Sequence, residues 1–189
     1  VLYMLPSMNE AICSKNVVTE NQIIREKINL TEKILKKEDV LTLYKAKILN
    51  PPYCKLYKSN IIKSNNIKFD KNISIGEDLL FNIEYIKNIN KNIVILNENL
   101  YNYEKIQGNS LSQKYYKNML EIKSKIVKKM RENIYVKDEE NIDFEILVFD
   151  LLLSSVTNEL KCKSKKFLDR YKSGYNIIKK EPIQKQIMI

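Results

Sequence analysis

The apolar residues of this chain mix two spacings up to about Ser112 and keep to helical spacing beyond it, and that change constrains the fold more than any other feature. Ahead of it lie short alternating or wholly apolar runs that read as strands: Val17-Val18, Ile23-Ile24, Ile67-Lys68-Phe69, Ile93 to Leu96, and Tyr101-Asn102-Tyr103. Val1 to Leu5, stopped by Pro6, reads as another. Helical faces are interleaved with them. Val40, Leu41, Tyr44 and Ile48 follow an acidic start at Glu38-Asp39 and run to Asn50-Pro51-Pro52. Leu56 to Ile62 predicts a short helix with Leu56, Ile61 and Ile62 inward, and Leu79, Ile83 and Ile86 repeat at helical spacing. Beyond a loop at Gly108-Asn109-Ser110 the pattern is helical throughout. One stripe is Tyr115, Met119, Ile122, Ile126 and Met130. A second is Phe144, Leu147, Leu151 and Leu152, with Val148 and Val156. A third is Phe167, Tyr171, Tyr175 and Ile178. The expected organisation is an α/β part over residues 1–112 and a helical extension over residues 113–189.

The residue inventory removes several chemistries. There is no histidine, which excludes serine–histidine and cysteine–histidine nucleophiles. The three glycines, Gly76, Gly108 and Gly174, are too far apart to form a phosphate-cradling loop. Cys13, Cys54 and Cys162 are odd in number and form no CxxC, so a zinc site is not expected and the thiols read as reduced and cytoplasmic. No apolar run reaches the ~18 residues of a membrane span. The chain starts without methionine in a strand-like segment, so a preceding part is expected.

Charge is uneven. Of the net +10, residues 161–189 hold nine Lys/Arg against two Asp/Glu. A basic helical tail suits an anionic membrane surface, nucleic acid or an acidic partner. The plainer reading is a solvated, lysine-rich face.

With so few groups able to do chemistry, Gly76-Glu77-Asp78-Leu79-Leu80-Phe81-Asn82 stands out: two carboxylates open an apolar helical run behind a glycine. Two readings of Asp78 are compatible. It caps the first turn and meets the helix dipole. Alternatively it is a rigidly held general base beside a cleft.

Several pieces then fall in an ordered series. They are Tyr53 to Ile62, Asn66-Ile67-Lys68-Phe69, Ile75 to Asn82, Leu100-Tyr101-Asn102-Tyr103, and Asn109-Ser110. Together they resemble the second half of family 2 glycosyltransferases of the bacterial surface-polysaccharide type, over about residues 38 to 112, roughly 40% of the chain. The resemblance implies a partial GT-A-like fold, its acceptor half, followed by the helical extension. It implies that Asp78 is the catalytic base that deprotonates an acceptor hydroxyl, with inversion at the anomeric carbon. It further implies that Glu77, Gly76, Lys55, Tyr103 and Ser110 lie on the substrate side. The partners implied are a nucleotide-sugar donor and a saccharide or lipid-linked acceptor, in the cytoplasm or at the inner face of the membrane through the basic tail. A divalent metal, Mg or Mn, is implied for the full-length enzyme. The Asp-x-Asp that would hold it on the donor diphosphate does not occur here, so no metal ligand or cofactor is expected in this chain and the chain alone is expected to be inactive. The rival readings are a basic nucleic-acid-binding module and a non-catalytic interaction module; no known nucleic-acid motif supports the first, so nucleic acid is not expected.

Overall fold

The structure, a computed structural model, describes residues 10–19, 22–30, 34–104, 114–136 and 138–159, with Asp169, Lys172 and Asn176 besides. The expected first strand (Val1 to Leu5), the Gly108-Asn109-Ser110 loop and the Phe167, Tyr171, Tyr175, Ile178 stripe lie outside the described residues. The fold is mixed α/β, and the chain divides into two compact units.

The first unit holds a five-stranded sheet. Strands β1 (Glu10–Val18), β2 (Ile23–Glu26), β3 (Ile34–Leu35), β4 (Lys55–Leu56) and β5 (Ile93–Glu104) take the order β2-β1-β5-β3, with β4 also on β1. β1 and β5 run parallel, from Glu10 opposite Ile93 to Val18 opposite Glu104. A parallel pair needs a long crossover, and the chain uses it to carry the helices α1 (Val40–Lys45), α2 (Ser59–Ser64) and α3 (Glu77–Lys87). Val17-Val18 and Ile23-Ile24 do lie in strands. The two strands expected at Ile93 to Leu96 and Tyr101 to Tyr103 are one, β5. Its register against β1 slips on both sides of Ser14: Cys13 faces Leu96, Ser14 faces Asn99 and Lys15 faces Tyr101. The extra residues in β5 bend the sheet there. Asn99 bridges the irregularity, its Nδ2 donating to the carbonyls of Lys15 (2.6 Å) and Glu26 (3.1 Å).

Three local expectations are corrected. α1 stops at Lys45, well before Pro51, because Lys47 turns into the left-handed region (φ 59°) and the amides of Ile48 and Leu49 both return to the Leu43 carbonyl. That turn drives Leu49 into the core with no exposed surface, while Ile48 leaves the helical face. Leu56 belongs to a strand, not a helix, so the alternation of β4 points it outward, 39% exposed. Ile67 to Phe69 pairs with no strand; Ile67 is buried, and Phe69 is half-exposed with its ring stacked on Phe81 at 4.4 Å.

The second unit contains α4 (Met119–Asn133) up to Glu132 and α5 (Asn141–Glu159). Met119, Ile122, Ile126 and Met130 are buried on α4 as expected; on α5 Phe144, Val148, Leu152 and Val156 are buried, whereas Leu147 and Leu151 of the expected stripe are only half-buried. Tyr115 lies ahead of α4. The side-chain amide of Asn158 clasps the backbone of Tyr116 in both senses, donating at 2.9 Å and accepting at 3.2 Å. Arg131 reaches Glu145 with both guanidinium nitrogens, one at 2.8 Å. Gly76 also belongs to this unit. Its φ of +88° disfavours any other residue, and a Cβ there would run into the side chain of Ile126.

Candidate active site

Asp78 lies in the first turn of α3, directly after Glu77. The buried face of this helix, Leu79, Phe81, Ile83 and Ile86, sets its rotation and leaves Asp78 half-buried. Burial raises the Asp78 carboxyl above the usual carboxylate range; the neighbouring Glu77 adds to the rise, and the Lys55 ammonium opposes it. Glu77 keeps one carboxylate oxygen, Oε2, buried with no hydrogen-bond partner.

Lys55 answers from β4. β4 pairs antiparallel with β1, Lys55 opposite Ile12, and the side chain donates to the Pro51 carbonyl. Burial pulls its ammonium down to about 8; Cys54, Asp78 and Cys13 partly offset that fall. Near neutral pH the group is thus a poised cation facing a carboxylate. The Cys54 thiol, pushed up to about 11 by burial and then by its neighbour Cys13, stays protonated.

Asn82, one turn beyond Asp78, fixes this geometry. It is 1% exposed. Its Nδ2 donates to the carbonyls of Leu49 (2.6 Å), Asn50 (3.1 Å) and Pro51 (3.4 Å), and its Oδ1 accepts the Tyr57 hydroxyl at 2.5 Å. The Tyr57 ring stands edge-on to Phe81 and Tyr85, at 5.6 and 4.9 Å. Burial, then Asp78 and Tyr85, keeps its phenol protonated throughout the physiological range. The Tyr85 hydroxyl in turn accepts the Lys58 amide at 2.7 Å. One helix face therefore grips residues 49–58 along their length.

Tyr103 belongs to an aromatic cluster on the sheet. Tyr53 stacks on Tyr101 (5.0 Å) and Tyr103 (5.2 Å), and the Lys15 ammonium lies 5.3 and 5.2 Å from the Tyr53 and Tyr103 ring centres. Lys15 also pairs with Glu26 at 3.3 Å and donates to the Tyr53 hydroxyl at 3.5 Å. Burial would lower the Lys15 ammonium, but Tyr53 and Glu26 outweigh it and hold it above its ordinary value.

Of the residues singled out from sequence, Asp78, Glu77 and Lys55 come together. Tyr103 joins Tyr53 and Lys15, Gly76 has a backbone reason of its own, and Ser110 lies outside the described residues. Sequence reasoning missed Lys15, Tyr53 and Asn82 as site-builders. Tyr53 and Asn82 stood inside the quoted pieces, but Lys15 carried no signal. Among the described residues, no three His, Cys, Asp or Glu side chains converge to hold a metal ion. The divalent cation implied by the resemblance therefore lacks a donor set there, and no step below is routed through one. Also among the described residues, no helix is long and apolar enough to cross a membrane.

No protein-family model matches the sequence, and no curated protein matches it. Among solved structures, S. aureus TarS 1–349 in complex with UDP is similar, with 15% identity and a TM-score of 0.46. The match covers 93% of this chain, and this chain spans 58% of that one.

Proposed function

We propose that this chain is the acceptor-side part of an inverting glycosyltransferase, with Asp78 as general base. The observation that carries the reading is the convergence of two sequence pieces: Lys55-Leu56-Tyr57 meets Glu77 to Asn82 through the Tyr57–Asn82 hydrogen bond and the facing charges of Lys55 and Asp78. Well separated along the chain, they form one constellation around a carboxylate.

The chemistry follows from that carboxylate. Its raised proton affinity, from burial and then Glu77, makes the carboxylate better able to take a proton than a solvated one. An acceptor hydroxyl hydrogen-bonded to Asp78 loses its proton to the carboxylate as its oxygen bonds to the anomeric carbon. The bond from that carbon to the nucleoside diphosphate breaks, and the electron pair leaves with the phosphate. Attack opposite the leaving group inverts the centre. Lys55 balances the carboxylate before transfer, and Glu77, with its unpartnered oxygen, suits a second acceptor hydroxyl. The donor site and its metal belong to a part of the enzyme beyond this chain, and the acceptor belongs to cell-surface polysaccharide synthesis.

Asp78→Asn in the full-length gene product tests this reading. Transfer should fall by about a thousandfold, the scale of a lost general base, with the far-ultraviolet circular dichroism unchanged. Transfer within about threefold of wild type would refute the assignment.

A further inference from the structure

A cleft of about 360 Å³ opens beside β1, lined by residues 12–15, 26–28, 46–48, 51 and 53–55. Four lysines line it, Lys15, Lys27, Lys47 and Lys55, against a single carboxylate, Glu26. Lys15 already occupies Glu26. Lys27 and Lys47 are exposed and have no carboxylate partner among the described residues. The left-handed turn at Lys47 is the same turn that ends α1, so the backbone fixes this edge of the cleft. At the cleft's inner wall Ser14 is 3% exposed, and its hydroxyl has no hydrogen-bond partner. A buried hydroxyl without a partner is costly, and a ligand oxygen would supply one. The β5 bulge opposite Ser14 disturbs the ladder at that point.

We propose that this cleft binds a sugar-sized anion, a monosaccharide or polyol bearing a phosphate or carboxylate group. Lys27, Lys47 and Lys55 supply the positive field, and Ser14 a hydroxyl contact. Because Lys55 lines the cleft and also faces Asp78, the anion is the acceptor of the proposed transfer; this last step rests on the glycosyltransferase reading, whereas the binding itself does not. The volume lies at the small end of ligand sites. It suits one charged sugar residue and not a nucleoside diphosphate sugar.

Calorimetric titration of the 189-residue chain at low salt decides the matter, with four probes: glucose phosphate, glucuronate, uncharged glucose and UDP. Glucose phosphate or glucuronate should bind with a Kd below ~10 mM, and glucose should not. Lys47→Glu and Lys27→Glu should each weaken that binding about tenfold, and Ser14→Ala about threefold. Lys91→Glu, outside the cleft, should leave it unchanged. Transfer is read from Asp78→Asn in the full-length protein and anion affinity from Lys47→Glu and Lys27→Glu in this chain, so the two readings fail separately. Three results would overturn the proposal: no binding of either charged sugar, equal binding of glucose, or equal losses in Lys47→Glu and Lys91→Glu. Binding of UDP alone would assign the cleft to the donor and overturn it as well.

Discussion

Lys55 and Asp78 each have a proton affinity shifted against their charged form, and each bears a cost in stability. The Lys55 ammonium falls from 10.5 in the unfolded chain to about 8 in the fold. Between those values the unfolded state binds more protons, so stability rises with pH across that window. Below it, burying the charged amine is a net cost. Lys55→Met should therefore raise stability at neutral pH by about 2 kcal/mol, after allowance for the lost hydrogen bond to Pro51. The gain should shrink as pH passes 8 toward 10.5, in urea unfolding followed at several pH values. A gain independent of pH would point to packing instead. Asp78 has the opposite ionisation and the same logic. Its folded pKa is raised, so its contribution is favourable in acid and is lost as pH rises through the folded value. Asp78→Asn should thus leave neutral-pH stability equal to or above wild type, with wild type gaining on the variant in acid. A lower neutral-pH stability for Asp78→Asn would mean that the carboxylate is chiefly a structural cap.

At the scale of elements, α3 is the part on which the site depends, and Asn82 is how it holds residues 49–58. Asn82→Ala would take the Asn82 amide from the Leu49 carbonyl and from the Tyr57 hydroxyl, which keeps only the longer 3.3 Å bond to the Pro52 carbonyl. The expected loss is about 3 kcal/mol, from a buried polar network broken on one side, read from the urea midpoint. Asn82→Asp keeps the Oδ1 acceptor but loses the donor, and should be nearly as harmful. The helices were the legible elements. Leu79, Ile83 and Ile86, or Ile122, Ile126 and Met130, declare one buried face through spacing alone. The sheet was legible only in fragments. Ile93 to Leu96 and Tyr101 to Tyr103 looked like separate strands because the residues between them break alternation, and only pairing with β1 shows a bulged continuous strand. Leu56 looked inward because a helix was assumed, when two residues of β4 were enough to reverse its face.

The whole molecule adds what no local pattern holds. Lys15 and Tyr103 share a cluster because β1 lies parallel to β5, placing Lys15 opposite Tyr101 and Val17 opposite Tyr103. A separation of this length leaves no trace in periodicity, so the cationic cleft and its aromatic neighbours were invisible in the sequence. Asp78 was visible for the opposite reason: Glu77 and Asn82 are on its own helix, and Lys55-Leu56-Tyr57 is a compact piece in a recognisable order. Val148→Ala, in the core of the second unit, should destabilise by about 2 kcal/mol, as urea unfolding would show. The measurement that bears most directly on the central claim is the transfer reaction of the full-length protein, with the anomeric configuration of donor and product both assigned by NMR. An inverted product from wild type, and about a thousandfold slower transfer from a folded Asp78→Asn variant, is the predicted result. Retained configuration, or undiminished transfer without the Asp78 carboxylate, would contradict it.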